Sequence, residues 1–204
     1  MYKIVDVADT VRVPPKRFNE DLGSVITQEL ETMVVGKVDK VLGIVLAVTE
    51  INEVGEGKII LGDGAIYYKV KFRILSYQPV INEVVEGSIT EVTEFGAFVN
   101  FGPVDGLIHV SQITEDFMSY DQKNASFVGR DTNKMLKVAD VVQARIVTVS
   151  LKSRVSDSKI GLTMRQPYLG KLEWIAETQK KGKEPDVKEP KEKGKKEKKG
   201  RKED

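Results

Sequence analysis

Apolar and polar positions alternate cleanly over residues 65–75. Tyr68, Val70, Phe72 and Ile74 share one parity, and Tyr67, Lys69, Lys71 and Arg73 share the other. That is the period of a strand with one buried face. Residues 2–7, 11–13, 41–51 and 58–61 read as further strands. Gly55-Glu56-Gly57 and Gly62-Asp63-Gly64 read as turns on either side of the last of them. One stretch follows a different period: Leu22, Val25, Ile26, Leu30, Met33 and Val34 recur at helical spacing, and Gly36 is a natural stop. Pro14-Pro15 fits a helix start, because proline is tolerated at the first helical position.

After Pro79 the pattern shortens. Residues 87–92, 96–101, 105–110, 141–151 and 159–164 read as strands joined by tight turns. Five short strands of this kind predict a small OB-type barrel. Residues 114–140 interrupt the series and are long for a loop without structure of its own. Residues 169–179 read as a short final helix containing Trp174. The fold class is therefore α+β: an α/β segment over 1–81, a five-stranded barrel over 82–168, the helix, and a tail over 180–204. Leu169, Leu172 and Trp174, on a helix too small for its own core, are candidates for an apolar partner patch.

Composition narrows the chemistry. The chain has no cysteine and a single histidine, His109. That excludes disulfides, thiolate catalysis, zinc fingers and multi-histidine metal centres. No cofactor or metal is expected, and no GxxxxGK[ST] or GxGxxG element is present. The longest uncharged stretch, residues 95–104, is far too short for a membrane span. The first residues carry an acid within their apolar run, unlike a signal peptide, so a cytoplasmic protein without membrane association is expected. Charge is split along the chain. Residues 180–204 hold twelve basic and seven acidic side chains with one large apolar residue, Val187, and are expected to be disordered. The remainder holds twenty basic and twenty-four acidic side chains.

The candidate chemistry lies on one side of the barrel strands. Parity puts Phe98 with Gly96 and Asn100, opposite Ala97, Val99 and Phe101. His109, Arg145, Lys159 and Arg165 likewise oppose the aliphatic positions of their strands. Phe95 has core parity unless Gly96 introduces a bulge. Rings and cations on a barrel face suit single-stranded nucleic acid, because every base has a face to stack on. Plainer readings stay open, among them that Phe98 packs under the long loop. In others, His109 is a hydrogen-bonded structural residue, or Lys69, Lys71 and Arg73 form a solvated sheet face.

These motifs carry a resemblance. Phe95-Gly96-Ala97-Phe98-Val99, then Gly106-Leu107-Ile108-His109-Val110-Ser111, then Lys159-Ile160-Gly161-Leu162-Thr163-Met164-Arg165 is similar to an S1-type RNA-binding domain over 83–166. The chain from Met1 to Trp174 resembles the E-prime stalk family of archaeal DNA-directed RNA polymerase. That family is the counterpart of the seventh-largest subunit of eukaryotic RNA polymerase II. Val13-Pro14-Pro15, Gly55-Glu56-Gly57-Lys58, Gly62-Asp63-Gly64 and Arg165-Gln166-Pro167-Tyr168-Leu169-Gly170 support it. The resemblance implies an RNP-like N-terminal domain and a non-catalytic stalk subunit. It implies pairing with a small helical partner, the F subunit of the polymerase. It implies a tip at Gly55, Gly57, Gly62, Asp63 and Gly64 that docks on the polymerase core. It also implies emerging RNA on Phe95, Phe98 and His109. Three features depart from the S1 pattern: Ser150 where an acid is usual, Lys159 where arginine is common, and the long 114–140 insert. A free-standing S1 factor in translation or RNA decay is the second reading.

Overall fold

The computed structural model describes residues 1–181. Its first sheet is antiparallel, in the order β1-β4-β3-β2, with β1 at Tyr2–Val13, β2 at Val38–Asp39, β3 at Gly43–Ile59 and β4 at Ile66–Tyr77. Helix α1, Leu22–Val34, covers one face. Its stripe of Val25, Ile26 and Leu30 is buried against Val11, Val13, Val45, Val70, Phe72 and Ile74. Each such fully buried side chain contributes about 1.5–3 kcal/mol. The Asp21 carboxylate caps the helix by accepting the Ser24 N–H at 2.9 Å.

Three details differ from the sequence reading. Pro15 opens a short 3-10 turn, Pro15–Arg17, and the α-helix starts only after Asp21. The two expected segments 2–7 and 11–13 are one strand, because β4 pairs with it without a break from Tyr2↔Tyr77 to Val13↔Ile66. Residues 41–51 and 58–61 also merge into β3, so Gly55-Glu56-Gly57 is not a turn. Four register shifts along β3 each insert an extra residue, which erases its alternation. Gly57 sits at the last shift, where a Cβ would come within 2.7 Å of Ile66 Cγ2 and 2.8 Å of Tyr68 Cε1. Gly62-Asp63-Gly64 does form the turn, with both glycines at positive φ.

The second unit is a closed barrel. Its strands are β5 at Val84–Thr93, β6 at Gly96–Asn100, β7 at Asp105–His109, β11 at Val141–Ser150 and β12 at Lys159–Thr163. The circuit runs β12-β7-β6-β5-β11 and back to β12, with β7 and β12 parallel. The 114–140 insert forms its own sheet of β8 Met118–Asp121, β9 Ser126–Gly129 and β10 Met135–Lys137. Strands of three or four residues are too short to show a period, which is why none was legible. The Asp116 carboxylate ties this insert together by accepting from the Asp131 and Thr132 N–H groups and the Thr132 hydroxyl. Those bonds hold it below the usual carboxylate range.

A short strand β13, Gly170–Lys171, adds to β11 and leads into helix α2, Leu172–Lys181. Of the expected partner patch, Trp174 is buried in the barrel's own core, Leu169 is half-buried and Leu172 is exposed. The Lys134 ammonium lies 5.3 Å from its ring centroid. Lys171 bridges Asp140 at 3.1 Å and Glu173 at 2.8 Å. Helix α2 takes Lys180 and Lys181 into its last turn; the rest of the segment expected to be disordered, 182–204, lies outside the described residues.

The sheet and barrel meet end to end. Tyr77 of β4 is buried in the barrel-side cluster together with Ile44. Its ring stands 4.9 Å from that of Tyr2 and 6.4 Å from that of Phe101. Asn82 donates to the Ile146 carbonyl, and Ile146 donates back to Glu83.

Candidate nucleic-acid interface

The hairpin β5–β6 and strands β7 and β12 build the candidate site. Phe98 on β6 is opposite Leu107 on β7, which is opposite Gly161 on β12, and Gly161 pairs with Thr148 on β11. This row forms the floor of a cavity of about 690 Å³. The Thr148 hydroxyl packs against Gly161, where a Cβ would come within 2.4 Å of it. Phe98, Leu107, His109, Val155 and Lys159 line the cavity, with the Asp105 carboxylate on its rim. Asp105 accepts from the Asn100 amide at 2.8 Å.

Phe95 belongs to the turn before β6, so strand parity does not apply to it, and it is 47% exposed. Its ring meets Phe98 edge-on, with centroids 6.1 Å apart at 88°. Gly96 lets β6 lie close against β7: a Cβ would lie 2.3 Å from the Ile108 carbonyl oxygen. His109 is exposed on β7 across from Gly96. Its Nδ1 lies 2.9 Å from the Ser111 hydroxyl and accepts the Ser111 N–H at 3.3 Å. In the neutral ring that leaves Nε2 to carry the proton and face solvent as a donor.

The cations do not assemble as expected. Lys159 lines the cavity, but Arg145 and Arg165 do not. Arg145 lies on β11 between Val84 and Thr163, with its Nε buried and without a partner among the described residues. Arg165 lines separate hollows beside the insert, next to Glu115 and Asp116. Parity gave the side of the sheet but not the position along a curved barrel. The wall formed by Val155, Ser156 and Ser158 was not legible at all. It comes from a 3-10 turn, Val155–Asp157, braced by Ser158, whose hydroxyl donates to the Arg154 carbonyl at 3.0 Å.

The cationic face of β4 is largely neutralised. Lys71 pairs with Glu53 at 2.7 Å, and Arg73 with Asp6 at 2.9 Å and Glu50 at 3.0 Å. This is the solvated sheet face of the plainer reading.

The far end of the sheet carries a feature the sequence reading missed. Ile59, Ile60 and Leu61 project from the β3–β4 hairpin, 70%, 52% and 99% exposed. The glycines drew attention there, while the apolar triplet read as one short strand. Gly55 and Gly57 lie below it within β3, and Gly62, Asp63 and Gly64 form its apex turn.

Sequence profiles fit both halves. One described as "SHS2 domain found in N terminus of Rpb7p/Rpc25p/MJ0397" matches residues 8–64, and one for the S1 RNA binding domain matches 78–159. The DNA-directed RNA polymerase subunit Rpo7 of Saccharolobus solfataricus is 43% identical over 180 residues, 88% of this chain and 100% of that protein. The chain belongs to the Rpo7 family of RNA polymerase subunits. Rpo7 of Sulfolobus acidocaldarius is 41% identical, covering 86% of this chain and 95% of its own length. The RNA polymerase II subunit rpb7 of Dictyostelium discoideum is 27% identical, covering 76% and 90%. No helix among the described residues is long and apolar enough to cross a membrane.

Proposed function

We propose that this Rpo7-family chain is a non-catalytic stalk subunit that guides emerging single-stranded RNA over its barrel cavity. Phe98 supplies a stacking ring, the His109 Nε2–H a donor and Lys159 the charge. Stacking can contribute about 1–3 kcal/mol per base. The observation that carries the reading is the convergence of these three side chains from β6, β7 and β12 on one cavity. The hairpin apex, with Ile59, Ile60 and Leu61 exposed, docks on the polymerase core. The small helical partner covers the apolar side chains near the junction of sheet and barrel. Tyr2, Ile4, Val41, Ile81 and Val84 are exposed there, which supports this surface rather than Trp174.

The test is cross-linking within transcribing polymerase that contains this chain. A photoreactive group at Leu107, on the cavity floor, should capture nascent RNA, and one at Lys16, on the sheet side, should not. Equal capture at both positions would remove the cavity from the RNA path. Adding the small helical partner to the purified chain should raise its melting temperature, since a ligand that binds only the native state stabilises it.

A further inference from the structure

The apex of the β3–β4 hairpin combines two features that ordinarily conflict. It presents its most exposed apolar side chain, Leu61, 99% accessible. It also holds two glycines at positive φ, Gly62 and Gly64, which allow a turn many conformations. The ladder ends at Ile59↔Ile66, so residues 60–65 lack strand pairing. A loop of this kind would be free to fold its apolar side chains back onto the sheet.

Asp63 stands between the two glycines, and its carboxylate is held from two strands. Arg12 of β1 binds it with both arms of the guanidinium, Nε donating to Oδ2 at 2.8 Å and Nη2 to Oδ1 at 2.6 Å. The Tyr67 hydroxyl of β4 donates to Oδ2 as well. Arg12 and Tyr67 are direct partners in the β1–β4 ladder, so the pleat aims both side chains at one spot. The Asp63 N–H adds a bond to the Ile60 carbonyl at 3.3 Å.

We infer that Arg12, Asp63 and Tyr67 form a clamp that fixes the projection of Ile59, Ile60 and Leu61 before the hairpin meets its docking surface. The inference rests on the docking role proposed above. These are positioning residues: Leu61 makes the contact, and the clamp determines where Leu61 stands. An exposed ion pair adds little to global stability. A planar guanidinium matched to a carboxylate nevertheless selects one geometry, which lysine would not do. An apex ordered in advance loses less conformational freedom on binding.

The test uses the full chain and a polymerase lacking it. Arg12→Asp and Asp63→Arg, each alone, should speed hydrogen exchange of the position-63 amide, the apex N–H that has a backbone acceptor, and weaken docking by about tenfold, the cost of ordering one or two rotamer-rich side chains. Thermal stability should stay near the parent value. The double exchange Arg12→Asp with Asp63→Arg should restore slow exchange and part of the docking. Arg12→Lys should fall between, and Tyr67→Phe should speed exchange less than either reversal. Unchanged exchange in the single variants would overturn the clamp. Faster exchange with undiminished docking would overturn its role in positioning. Leu61→Asp leaves the clamp intact and should abolish docking. If Leu61→Asp docks normally while the reversals still speed exchange, the docking role of the hairpin fails, and the inference with it.

Discussion

Phe98 is half-buried on β6, in one row with Leu107 and Gly161, and its ring meets that of Phe95 edge-on. Replacing Phe98 with alanine should therefore cost about 1–3 kcal/mol of single-stranded RNA affinity with little change in salt dependence. Lys159→Gln should instead flatten the salt slope by about 0.7, the value for one phosphate contact on a single strand. Arg165→Gln lies off the cavity and should alter both far less. A salt titration of the three variants separates the outcomes, and parental affinity in a folded Phe98→Ala chain would refute the stacking mechanism. Phe98, His109 and Lys159 were legible because strand parity reports which side a residue faces. Parity could not report that Arg145 pairs with Val84 and Thr163, away from the Gly161 row, or that Arg165 lies beyond the end of β12, so neither lines the cavity. Nor does any periodicity describe the 3-10 turn that supplies Val155 as a wall.

The elements divide in the same way between those with a sustained period and those without. Helix α1 was plain from its stripe, and the structure buries Ile26 and Leu30 completely, at 0% exposure each. Leu30→Ala should lower the unfolding free energy by about 2–5 kcal/mol, measurable by urea denaturation, because the sheet beneath cannot collapse into the void. Strand β3 was legible only in pieces. Its extra residues each reverse the parity, so a pattern search finds two short strands and a turn where one bulged strand runs. The glycines that suggested a turn have a packing role instead. Gly57→Val would force the Tyr68 ring aside and should loosen pairing at Lys58↔Tyr67 and Ile59↔Ile66. Hydrogen exchange should rise at those pairs and remain slow at Ile44↔Tyr77; uniform protection would show that the bulge tolerates a side chain.

At the scale of the molecule, Tyr77 makes the sheet and the barrel depend on each other. It is the last residue of β4, yet its ring lies in the barrel's cluster between Tyr2 and Phe101. Its hydroxyl is buried without a hydrogen-bond partner among the described residues. Burial pushes its pKa up to about 12. An acid that keeps its proton longer when folded lowers stability once the unfolded chain ionises. The Tyr77 contribution is therefore intact below pH ~10, the free tyrosine value, and is lost as the pH rises toward about 12. Lys171, whose pKa Glu173 and then Asp140 hold up, adds a pH dependence of its own. The difference between the parent and Tyr77→Phe isolates the one hydroxyl. Tyr77→Phe keeps the ring and removes an unpaired polar group, so at neutral pH it should match or exceed the parent's stability by about 1 kcal/mol. Above pH 10 its advantage should widen. Tyr77→Ala removes the ring from the junction and should cost about 3–5 kcal/mol, the range for large aromatic truncations. It should also split one unfolding transition into two, with Trp174 fluorescence following the barrel and far-ultraviolet ellipticity at 222 nm weighted toward α1. A parent and a Tyr77→Phe chain that lose stability in parallel from pH 9 to 12 would show that the hydroxyl is solvated in the native state, and the junction would then be looser than its packing indicates.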